Sequence, residues 1–256
     1  MKFIAKNMNV TPADVQLLWY LHAVKVSTYE QIKRDIYSDY HFASVCNRIY
    51  RLERNGLVCG NRNRVLASGK RYISLTRKGF DEFVAKGNEV HIELKSDAVN
   101  HDLELVDIRY CMLKASRVLQ YHSENELQTW GINQSEIVGQ FINLNSDAVL
   151  LLRFPKGEII CPLEYELNGK SIDRYEPLIK KYYRRDDVPL VLYLCNSKEV
   201  MNRISKIEKK LFQSDQPKFF YKVMQKIATS DELSFHNYND RILTLHQPTG
   251  YEQVTK

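Results

Sequence analysis

The chain has no apolar run approaching the roughly 20 residues that a membrane-spanning helix needs. Even Ala148 to Leu152 is only the size of a strand. The first residues, Met1-Lys2-Phe3-Ile4-Ala5-Lys6, hold neither a sustained apolar stretch nor a small-residue cleavage pattern, so no secretory signal is expected. Cysteine is sparse and scattered: Cys46, Cys59, Cys111, Cys161 and Cys195 form no CxxC pair and no finger spacing. That argues against a zinc site and for reduced thiols, hence for a cytoplasmic location. Hydrophobic residues at 44% and charged residues at 27% exclude a disordered chain, and 256 residues suffice for one large domain or two ordinary ones.

Acidic residues are scarce in the first third. Residues 1–86 hold 15 Lys and Arg against 7 Asp and Glu, whereas the remainder holds 22 against 24. A solvated surface ordinarily mixes its signs, so this asymmetry predicts a polyanion-binding module followed by a near-neutral one, with a boundary near residue 88.

The positive charge centres on Ser44 to Gly69. Arg48, Arg51 and Arg54 recur three residues apart and are expected to share one solvent-facing stripe, opposite Val45, Ile49 and Leu52. Gly56 is placed as the left-handed residue that stops this helix, after which Leu57-Val58-Cys59 begins a strand. Gly60 to Arg64 and Ser68 to Arg71 read as a basic loop between two strands. Before this helix, Thr11-Pro12-Ala13-Asp14 caps one helix and Ser27-Thr28-Tyr29-Glu30 a second; after it, Thr76 opens a fourth through Phe83. Val90 to Leu94 alternates as a short strand.

Over residues 8–86 this order resembles a winged helix-turn-helix domain, with Arg48 to Val58 similar to the recognition helix and the start of the wing. The residues expected at duplex DNA are Ser44, Asn47, Arg48, Arg51, Arg54, Arg62, Arg64, Lys70 and Arg71. Guanidinium groups on a helix beside a basic hairpin suit a groove and its phosphates. Two alternatives stay open at this point: arginines that merely solvate a helix, and a winged domain that binds protein.

In the second part, Asn100 is expected to cap a long helix reaching about Leu119, and Ser123-Glu124-Asn125-Glu126 forms a capping box for a short one. Asp147 to Phe154 and Glu158 to Glu166 read as a hairpin across Pro155-Lys156-Gly157. Gly169-Lys170-Ser171 leads into a helix through Tyr182, Val188 to Leu194 suits a buried strand, and Ser197 caps the helix to Leu211. Phe219 and Arg241 to Leu245 lie in further candidate strands. The fold class expected is therefore α/β, α+β overall, with the second part an α/β sandwich.

Asp147 at the mouth of one strand, and Glu164 and Glu166 two apart on its partner, could bring three carboxylates together. Such a cluster suits Mg²⁺ or Mn²⁺. The arrangement resembles the PD-(D/E)xK nuclease fold, which implies a catalytic set of Asp147, Glu164, Glu166 and Lys170 with metal on Asp147 and Glu164. The sequence departs from that pattern: Glu166 stands where the family has lysine, and Ser146 precedes Asp147 where the family has proline. Lys170 is the candidate for a displaced lysine. The remaining readings of the acids are a solvated edge strand and a catalytically degenerate remnant.

Over residues 8–195 the chain resembles the replication-relaxation family of plasmids and other mobile elements. The residues that carry this are Asn100-His101-Asp102-Leu103, Glu124 to Leu127, Asp147 to Leu150, Leu163 to Glu166, Tyr175 and Tyr182. By that resemblance His101 and Glu126 belong to the framework or site edge, whereas His101 read alone is a first-turn histidine bonding locally. The function implied is binding of double-stranded DNA at an origin or promoter, with a relaxase or replication protein as partner, a homodimer as assembly and no membrane. The alternative is a Mg-dependent endonuclease. A third class, a protein-binding adaptor, would show no affinity for duplex.

Overall fold

A computed structural model describes residues 9–62, 71–131, 136–213, 215–224 and 233–245. It is an α/β protein that divides into two compact units, the described residues of Met1–Asp107 with Ser123–Ile142, and Ile108–His122 with Asn143–Lys256.

The first unit begins with α1 (Pro12–Val24), β1 (Val26–Thr28), α2 (Tyr29–Asp35) and α3 (Phe42–Arg54). It continues with β2 (Val58–Arg62), β3 (Arg71–Leu75) and α4 (Arg77–Phe83). Thr11 and Asp14 form the capping box of α1. For α2 the cap is Thr28 with Gln31, one residue later than the expected Ser27 and Glu30, because Ser27 pairs in β1. Strands β1 and β2 both pair antiparallel with β3, giving the order β1-β3-β2. Leu17, Leu21, Ile32, Ile49, Leu52 and Phe80 close the core beneath them.

Gly56 has φ +71° and turns the chain out of α3. A β-carbon on Gly79 would lie 2.2 Å from the carbonyl oxygen of Leu57, so only glycine lets α4 pass the start of β2.

This unit is larger than the expected module of residues 1–88. Trp130, at the end of α6 (Glu124–Trp130), stacks on Trp19 with ring centroids 5.3 Å apart, and the Lys86 ammonium lies 4.6 Å and 4.9 Å from the two rings. Asn125 donates to the His22 carbonyl at 2.5 Å, and Gln31 donates to the Leu103 carbonyl at 2.8 Å. Residues 90–94, expected as a strand, form no ladder; the Val90 N–H donates instead to the Thr129 carbonyl at 2.7 Å. The split falls within α5 (Val99–Lys114).

The second unit is built on a seven-stranded sheet in the order β10-β9-β8-β7-β6-β5-β4. Its elements are β4 (Val118–Ser123), β5 (Ala148–Phe154), β6 (Gly157–Glu166), α8 (Ile172–Tyr183), β7 (Val191–Cys195) and α9 (Lys198–Phe212). Then come β8 (Phe219–Val223), β9 (Ser234–His236) and β10 (Ile242–Thr244); a short helix, α7 (Glu136–Gly139), precedes this unit's second segment. Strands β5 and β6 form the expected hairpin, while β6, β7 and β8 run parallel and are joined by α8 and α9. Every residue of β7 is buried, as its unbroken apolar run requires. The helix expected to reach Leu119 stops at Lys114, and Val118 onward pairs as β4.

Candidate functional sites

Residues of α3 fall into two arcs. Val45, Ile49 and Leu52 are wholly buried, whereas Ser44, Asn47, Tyr50, Arg51 and Arg54 are exposed. At 100° per residue the exposed five span an arc of about 120° that contains no acid. Tyr50 was not singled out by the sequence pattern, because an aromatic at that spacing suits a core equally well. Its ring is 54% exposed and lies 5.8 Å beneath the Arg54 guanidinium.

Arg48 does not share this face, contrary to the expected triple stripe. It lies on the flank of the buried arc, and its guanidinium closes on Asp14, with Nε 2.5 Å from Oδ1 and Nη2 against Oδ2. Asp14 is completely buried and also accepts from the Tyr37 hydroxyl at 2.9 Å and the Thr11 N–H at 2.6 Å. Arg48 is therefore the counter-ion of a buried carboxylate.

Arg71 is likewise committed: its guanidinium holds both carboxylate oxygens of Glu53, one of them at 2.6 Å, while Glu53 also accepts from the Gly60 N–H at 3.0 Å. This fork fastens the sheet to α3. Arg62 ends β2 opposite Arg71, and nothing further is described of its side chain. Arg64 and Lys70 lie outside the described residues.

The carboxylates of the second unit are arranged differently from the expected trio. The register Ala148 to Leu163 puts Asp147 and Glu164 at the next opposed position of the β5–β6 pair. Asp147 accepts from the Tyr165 N–H at 2.6 Å, and the Tyr182 hydroxyl of α8 donates to Glu164. Burial, and then the charge of Asp147, push the Glu164 carboxyl up to about 8, so it keeps its proton at neutrality. Burial and the Glu164 charge raise the Tyr182 hydroxyl as well.

Glu166 turns elsewhere. It is buried, accepts from the Tyr193 hydroxyl at 3.3 Å and pairs with the Lys170 ammonium at 2.9 Å. The expected displaced lysine therefore neutralises the residue that took its place in the motif. Lys181 is the cation whose charge acts on both Glu164 and Asp147, although its own proton affinity is lowered by burial, and its ammonium donates to the Leu144 carbonyl. It escaped sequence reading because it stands 15 residues beyond Glu166, on a different element.

Among the described residues no group of three His, Cys, Asp or Glu side chains is placed to hold a metal ion. The two coupled carboxylates are satisfied by a hydroxyl and an amide, donors that suit an acid pair holding a proton rather than a ligand set for Mg²⁺ or Mn²⁺. No chemical step through a metal is derived for this site.

Two framework expectations can be located. His101 lies 3.3 Å from the Asp102 carboxylate, a local first-turn bond, and Glu126 completes the capping box of α6 by accepting from the Ser123 N–H at 2.9 Å. Comparison of the chain with protein-family models, with curated proteins and with solved structures gives no match in any of the three.

Proposed function

We propose that this protein binds double-stranded DNA through the exposed arc of α3. The observation that carries this reading is the acid-free face of Ser44, Asn47, Tyr50, Arg51 and Arg54 on a helix whose opposite face is locked into a core. Arg and Asn are the side chains that read guanine and adenine edges in the major groove, and a helix of this diameter fits that groove. The element order α1-β1-α2-α3-β2-β3, with the sheet ordered β1-β3-β2, supports a winged helix-turn-helix arrangement in which α3 is the recognition helix. Action at an origin or promoter of a mobile element rests on the sequence resemblance alone. The carboxylates of the second unit enter as packing and proton-holding groups, and no hydrolytic role is assigned to them.

The test is selection of bound fragments from random duplex DNA, followed by anisotropy titration of the selected site. Replacing both Arg51 and Arg54 by alanine should weaken specific binding by at least 100-fold, at about 1–3 kcal/mol for each base contact. Asn47→Ala should relax preference at one position. Unchanged affinity in the double variant overturns the reading.

A further inference from the structure

The second unit is near neutral in sum, yet its cations are sorted in space. Helices α8 and α9 join the successive parallel strands β6, β7 and β8, so both run opposite to the strands and end at the same end of the sheet. Tyr183 and Phe212 stack at 3.7 Å where the two helices finish. Beside the last turns of α8 lies a cleft of about 360 Å³ lined by Lys180, Lys181, Arg184 and Arg185, with Leu144 and Pro177, and by no acidic residue. A second cleft, of about 420 Å³, follows α9 and carries Lys206, Lys209 and Lys210.

Basic residues in a last helical turn ordinarily complement the helix dipole. Here that role is already filled for α8. Lys218 donates to the carbonyls of Tyr182 and Arg185, at 3.3 Å and 2.6 Å. Two of the cleft's cations have acidic partners: Lys180 with Glu176 at 3.2 Å, and Arg185 with Asp187 at 2.5 Å. Arg184 is exposed and forms no ion pair among the described residues, and Lys181 is matched only to a backbone carbonyl and the charge of the buried acid pair. The cleft therefore keeps a positive excess that neither the helix end nor neighbouring carboxylates consume.

We infer that this cleft is a second anion site, seating a phosphate of a nucleic-acid backbone independently of α3. A nucleic-acid strand is favoured over a lipid surface because none of the exposed large hydrophobic side chains lies at the cleft, leaving nothing to insert into a membrane. The contact is with phosphate and carries no base preference. The inference deepens the proposed function and rests on the chain meeting DNA.

The test measures affinity of the full chain for the selected duplex, and for a duplex of unrelated sequence, between low and moderate salt. Lys180→Ala combined with Arg184→Ala, both on solvent-facing positions, should lower the salt slope by about 2, at roughly 0.9 per phosphate lost, and leave the preference between the two duplexes unchanged. Arg184→Lys should restore part of the slope. Melting temperature of each variant checks that folding is intact. An unaltered slope, with Arg51 and Arg54 variants behaving as above, overturns the cleft and spares the α3 reading. A lowered slope with fully functional Arg51 and Arg54 variants overturns the α3 reading and leaves the cleft standing. Absence of any wild-type affinity for duplex overturns both. Capture by anionic vesicles that the same double variant abolishes, with DNA affinity unmoved, assigns the cleft to lipid and overturns it as a nucleic-acid site.

Discussion

Each unit buries a carboxylate, and the two are satisfied in opposite ways. Asp14 in the first unit receives a guanidinium fork from Arg48, so it stays ionised in a fully buried position. Glu164 in the second unit receives a phenol hydroxyl from Tyr182 and faces another acid, so it retains a proton near neutrality. The difference shows what the cations are for. On α3 the inward arginine is consumed by the fold and only the outward ones remain for a ligand. On α8 the fold uses a neutral donor, and the cations are left along the cleft.

The largest effect should come from removing the ion lock. Arg48→Ala leaves the Asp14 carboxylate buried and uncompensated, at a cost of about 3–5 kcal/mol. Arg48→Lys restores charge but not the two-pronged geometry and should recover only part of that. Denaturant unfolding measures both. A loss below about 1 kcal/mol for the alanine variant would mean that Arg48 is a surface residue after all.

Proton linkage sharpens the comparison next, because the two units depend on pH in opposite directions. His22 is buried between Phe80 and Trp130, and burial lowers its imidazole to about 4 from 6.5. The folded state resists protonation there, so its full contribution is present above pH 6.5 and is lost as pH falls toward 4, by about 3 kcal/mol over the window. Glu164 is raised, so the fold prefers its protonated form. Its contribution is complete below about pH 4.5 and declines as pH rises toward 8. Glu164→Gln should therefore flatten the upper slope and leave the lower one, as read by melts across pH 4 to 8. An upper slope that survives Glu164→Gln would place the retained proton elsewhere.

A smaller change is expected from Tyr182→Phe, which removes the donor to Glu164 while keeping the ring against Phe219, at a cost of about 1–2 kcal/mol. Chemical denaturation at pH 6 checks this. A neutral result would show that Glu164 finds another partner. Arg51→Ala and Arg54→Ala should cost the least stability, within about 0.5 kcal/mol, since both side chains are exposed.

What could be read from the sequence follows the range of the interactions. Thr11-Pro12, Ser123 with Glu126, Ser197, the Gly56 turn and the Pro155–Gly157 hairpin all act within a few residues, and each stands where its local chemistry put it. The same is true of the buried run in β7. What escaped is non-local. Arg48, Arg51 and Arg54 have equal spacing, and only Asp14, 34 residues earlier, separates the first from the other two. Trp130 joins the first unit by stacking on Trp19, which no charge or composition boundary near residue 88 reveals. Glu164 and Glu166 share one face of β6, yet neighbours on α8 and β7 and the nearby Lys170 draw them to separate partners. Strand β4 was lost inside an apparent helix because Val118 to Ser123 is too short for its alternation to outweigh the apolar spacing before it.

The division of labour within α3 is tested most directly by pairing melting temperature with duplex affinity for Arg48→Ala and for Arg51→Ala combined with Arg54→Ala. The expected result is a large fall in melting temperature for the first variant, and for the second an unchanged melt with at least 100-fold weaker binding to the selected site. A double variant that melts as wild type and binds as wild type would contradict the account.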